Sequence, residues 1–117
     1  MNAISRVEFD AAGGLSPKIQ DNLANAVEEG IADIRFAVCR RFLTGSHKVK
    51  VIAKDKFGSD WLVGFVPNPF AGLIAKTIDS GGSVHAASWE VRLGRKMNYK
   101  LHICTNICAS DYAIILP

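Results

Sequence analysis

Apolar side chains recur at Ile19, Leu23, Val27, Ile31, Ile34, Val38 and Phe42. The steps of 4, 4, 4, 3, 4 and 4 residues keep one stripe on a helix of about 3.6 residues per turn. Ser16 suits the N-cap, Pro17 the first helical position, and Asp21 the early helix where a carboxylate is favoured. Acids (Asp21, Glu28, Glu29, Asp33) dominate the first part, Arg35, Arg40 and Arg41 the last, and Gly45 supplies a stop. The pattern predicts one long amphipathic helix over roughly 17–43, about 40 Å in length. Gly30 is expected to kink it slightly or to admit a neighbour closely.

Around that helix the period is two. Ile4–Phe9 reads as a short strand closed by Ala11-Ala-Gly-Gly14. Lys48–Lys54 alternates polar and apolar as a half-buried strand, Asp55-Lys-Phe-Gly-Ser-Asp60 is a hairpin loop, and Trp61–Val66 is a more buried strand. Pro67-Asn-Pro69 breaks that ladder. Residues 70–78 read as a short second helix or an irregular crossing, with helix favoured because Phe70, Leu73, Ile74 and Thr77 share a helical face. Asp79-Ser-Gly-Gly82 is a turn, Ser83–Leu93 and Tyr99–Ile107 are strands, and Tyr112–Leu116 is a candidate edge strand. The expected fold is α+β: the long N-terminal helix packed on one antiparallel sheet of four to six strands. It forms a single domain over 1–117, with the sheet region at about 47–116.

Composition adds limits. With 117 residues, one core is the natural count, and 49% hydrophobic against 21% charged residues is a globular balance. The apolar share is high for this length, which suits surface kept for a partner. No apolar run approaches the ~18 residues of a membrane span, and the N-terminus lacks a signal-peptide layout, so no membrane and a cytoplasmic setting are expected. A net charge of +3 argues nucleic-acid binding only where basic residues cluster. Three cysteines (Cys39, Cys104, Cys108) at irregular spacing argue against a disulfide framework.

Three groups of residues are candidates for chemistry. His102-Ile-Cys104 with Cys108 suits ligation on one strand face, yet a fourth zinc ligand would have to come from Cys39, His47 or His85 far along the chain. No nucleophile elbow and no phosphate-cradling glycine loop is present, and Asp55, Asp60 and Asp79 fall in turns. No catalytic residue, metal or cofactor is therefore assigned. Lys48, Lys50, Lys54 and Lys56, with Arg92, Arg95, Lys96 and Lys100 around another turn, would make a basic surface beside Phe57 and Tyr99 if those elements adjoin. The plainer reading is a solvated strand whose lysines guard an edge. Trp61, Phe65 and Phe70 around Pro67 and Pro69 read as core or as an assembly interface.

The layout Ile4-Ser-Arg-Val-Glu-Phe-Asp10, a Gly-Gly break and a helix carrying Ala24-Asn-Ala26 resembles the opening of the minor-tail-Z-like tail-completion proteins of long-tailed bacteriophages. Leu62-Val-Gly-Phe-Val-Pro-Asn-Pro69 resembles that group's strand ending in an Asn-x-Pro-type turn, and the sequence departs from the group after Ala71. The resemblance implies a virion protein at the head–tail junction or tail end, with copies of itself in a ring and neck or tail proteins as partners. In that reading Ile31, Ile34, Val38, Phe42, Trp61, Phe65 and Phe70 form the oligomer interface. The alternative is a small nucleic-acid-binding or regulatory module using Lys48, Lys50, Lys54 and Lys56.

Overall fold

In the computed structural model, which describes residues 4–14, 16–40, 47–94 and 98–109, the apolar stripe belongs to two different elements. Helix α1 spans Pro17–Glu29 and ends at Gly30, which adopts φ +91° and donates its amide to the carbonyls of Ala26 and Val27 at 2.9 and 3.2 Å. Strand β2, Ile31–Arg40, follows at once. The expected helix over 17–43, and with it one long helix on one sheet, is thereby corrected. The cause lies in the periods: a step of four returns to the same face in a helix and in a strand alike. Phe36 separates the two, because a helix continuing the stripe would have put this ring on its polar side, whereas a strand aligns it with Ile34 and Val38. Gly45 and Phe42 lie outside the described residues, as does Tyr112–Leu116.

The other elements fall close to expectation. Strand β1 is Ile4–Asp10, β3 His47–Asp55, β4 Asp60–Phe65, α2 Phe70–Asp79, β5 Ser83–Leu93 and β6 Tyr99–Cys108. They build two antiparallel three-stranded sheets instead of one: β1-β6-β5 (sheet A) and β2-β3-β4 (sheet B). Alternation decides the faces. On β6, Leu101, Ile103, Thr105 and Ile107 point inward, while Lys100, His102, Cys104 and Asn106 point outward. On β3, Val49, Val51 and Ala53 point inward, and Lys48, Lys50, Ile52 and Lys54 outward.

One apolar core fills the space between the sheets. Phe9, Leu101, Ile103 and Ile107 meet Ile34, Val49, Val51, Ala53 and Val63 there. Helix α1 adds Leu23 and Ala26, packing on β4 and β3, and α2 adds Ala71, Ile74 and Ala75, packing on β3, β5 and β6. Along one side the sheets are joined: the Ala12 amide donates to the Phe65 carbonyl at 2.7 Å and the Phe65 amide to the Ala12 carbonyl at 2.9 Å. Gly64 permits that approach, since a Cβ there would lie 2.8 Å from the Ala11 Cβ and 3.0 Å from the Ala12 carbonyl. Along the other side β2 and β5 come close with no ladder between them, leaving a groove between Asp33–Phe36 and Val84–Ala86.

Candidate functional site

The residues expected at an oligomer interface are dispersed through the molecule. Ile34 is buried in the central core, and Ile31, Val38, Trp61 and Phe70 pack against it. Phe70 stacks on Phe9, ring centroids 5.6 Å apart. Phe65 lies on the outer face of sheet B, where the Lys48 ammonium sits 4.1 Å above its ring.

The lysines divide differently from expectation. Lys48, Lys50 and Lys54 do share the outer face of β3, but β3 is the middle strand of its sheet, so they guard no edge. Register sets Lys54 between Asp33 and Asp60, and Asp60 is ion-paired with Arg35 at 3.2 Å. Arg92 and Lys100 face each other on sheet A, apart from the β3 lysines on sheet B, while Arg95 and Lys96 lie outside the described residues.

On the outer face of sheet A, His102 Nδ1 lies 2.8 Å from Asp10 and Nε2 3.5 Å from Glu8, tying β6 to β1. The hydrogen bond to Asp10 is the main reason its pKa is raised above 6.5; Glu8 adds to this, and desolvation opposes it. Cys104 and Cys108 alternate onto the same face, but among the described residues no three His, Cys, Asp or Glu side chains are arranged to hold a metal ion.

Two further features stand out, one at a hairpin loop that the sequence marked and one that it did not. The first is the β3–β4 hairpin tip. Asp55, only 4% exposed, accepts the amides of Phe57 and Ser59 on Oδ1, both at 2.9 Å, and the Trp61 indole N–H on Oδ2 at 3.0 Å. These bonds, the indole foremost, hold its carboxyl below the ordinary 3.8 against the opposing effect of desolvation. Backbone bonds from the Asp55 amide to Ser59, from Gly58 to Asp55 and from Lys56 to Gly30 complete the loop. The loop presents Phe57 to solvent at 78% exposure, the highest of the large apolar side chains among the described residues.

The second is a cavity of about 480 Å³ where α1, β4 and the start of β6 meet. Leu23, Val63 and Leu101, each at most 2% exposed, form its apolar floor. Asp10, Gln20, Tyr99 and Lys100 stand around it. One wall is fastened by Gln20, whose Nε2 donates to the carbonyls of Gly14 and Tyr99 at 2.5 and 2.9 Å while Oε1 accepts the Tyr99 amide at 2.8 Å. Sequence signals for the two features differed: an Asp opening a Gly-containing turn marked the loop, but nothing local marks a cavity assembled from residues 10 to 101.

Among the described residues no helix is long and apolar enough to cross a membrane. No protein-family model, curated protein or solved structure matches the chain.

Proposed function

We propose that this chain is a non-enzymatic structural subunit that joins copies of itself head to tail in a ring, as a head–tail joining or tail-completion protein of a tailed bacteriophage. The observation that carries the reading is the pair of unlike open edges on sheet A. Among the described residues, β1 on one side pairs only with β6, and on the other side β5 beyond the groove, from Ser88 to Leu93, likewise pairs only with β6. Unpaired strand edges invite another strand, and two different surfaces per chain are what a heterologous, ring-closing contact requires. The resemblance of residues 4–10 and 62–69 to minor-tail-Z-like proteins supports the virion setting and neighbouring neck or tail proteins as further partners.

With α1 only 13 residues long, no projecting helix contributes to that contact. Light scattering across a concentration range, with electron microscopy of the largest species, tests the reading. The expected result is one closed oligomer of fixed mass. A monomer persisting at high concentration overturns it.

A nucleic-acid-binding role remains as the second reading, favoured by Lys48, Lys50 and Lys54 on one face and Lys56 at the adjoining tip. It requires salt-dependent retention on DNA or RNA that falls when Lys48, Lys50 and Lys54 become alanine. Absence of retention at low salt removes it.

A further inference from the structure

We propose that Phe57 at the hairpin tip of one copy seats in the cavity floored by Leu23, Val63 and Leu101 of the next, making a knob-in-hole anchor for head-to-tail assembly. The inference rests on the self-assembling reading above and specifies its contact.

Three observations converge on a second copy as the occupant. Phe57 is 78% exposed on a loop held by the Asp55 carboxylate, so the ring is offered on a preorganised support and little order has to be gained on docking. The turn itself needs Asp55 and the positive φ of Gly58, not an aromatic ring at position 57. The cavity, about 480 Å³ with an apolar floor and polar rim, is of a size and character that accept an aromatic side chain.

The rim carries both signs: exposed Lys100, and Asp10, which is 59% exposed and also bonded to His102 at 2.8 Å. The exposed Lys56 beside the knob thus has its counter-charge on the Asp10 side of the hole. Asp10 ends β1 and Gly94, Asn98 and Tyr99 flank the β5–β6 turn, so the hole lies at that end of sheet A. The two features cannot meet within one chain. The tip adjoins the C-terminal end of α1, where the Lys56 amide bonds the Gly30 carbonyl, whereas the cavity borders Gly14 ahead of the helix and Gln20 and Leu23 within its first seven residues. An apolar knob and a pocket at separate sites on one molecule generate a heterologous contact, which closes into a ring when the rotation allows.

The test uses the full chain and complementary variants. Phe57→Ala removes the knob, and Leu101→Phe fills the hole from its floor. Each alone should weaken self-association roughly tenfold or more, as truncation of a central aromatic anchor does. Mixed in equal amounts, the two should form a heterodimer that does not extend, because one intact knob and one intact hole remain. If Leu101→Phe does not fold, charge exchange at the rim replaces it: Lys56→Glu and Asp10→Lys each weaken assembly, and the double variant in one chain restores it.

Unchanged assembly of Phe57→Ala beside an assembling wild type overturns the knob while leaving the ring reading intact. A wild type that stays monomeric overturns both. A monomeric wild type that binds single-stranded nucleic acid through Phe57 and Lys56 also overturns the proposal and assigns the tip to base stacking.

Discussion

Asp55 shows how one carboxylate organises a surface feature from a nearly buried position. Its two oxygens take three N–H donors, and each of those bonds favours the ionised form. A depressed pKa means that the carboxylate contributes stability above the ordinary 3.8, and that this contribution is lost as the pH falls through the lower folded value. Asp55→Asn should therefore lower the urea midpoint near neutral pH, while wild type and variant converge on acidification below 3.8. A constant gap across that range would show that the charge is not what matters. Thr105 is the opposite case. Its hydroxyl is wholly buried on the inner face of β6 and has no hydrogen-bond partner among the described residues. Thr105→Val keeps the shape and removes the orphan group, so it should raise unfolding free energy by about 1 kcal/mol in equilibrium denaturation.

At the scale of elements, the boundary between α1 and β2 is the structural decision on which the fold turns. Gly30 occupies φ +91° and ψ 114°, a region that L side chains rarely adopt. Gly30→Ala should destabilise the protein by about 1–3 kcal/mol. A continuous helix through this position would give the reverse sign, a gain of about 1 kcal/mol. Thermal or urea unfolding of this single variant discriminates the two.

The legibility of the sequence differed across the same boundary. Ser16 and Pro17 marked the start of α1, and Phe70, Ile74 and Thr77 marked α2, because caps and helical faces are local. Ile34 and Val38 were ambiguous, since a step of four serves either period until a partner strand is known, and Ile31 joins their face only through the bulge between Ile31 and Asp33. That partner is β3, whose Val49 and Ala53 pair with Val38 and Ile34.

For the whole molecule, the question is how a chain with an exposed aromatic ring and, among the described residues, two open edges on sheet A completes its surface. Assembly would couple folding to association, so the thermal midpoint should rise with protein concentration. Scanning calorimetry at two concentrations a hundredfold apart checks this; an unchanged midpoint argues for an isolated monomer.

The sequence by itself determined the α+β class, six of the eight elements to within about two residues, the start of α1, and which side of β3 would face the core. These rest on interactions within a few residues of each other. Tertiary structure alone decided that the strands form two sheets, that β3 is central and its lysines guard no edge, and that Leu23, Val63 and Leu101 leave a cavity. Strand order and voids depend on pairings between distant residues, such as Ala12 with Phe65 and Glu8 with Cys104, and no local period encodes a partner.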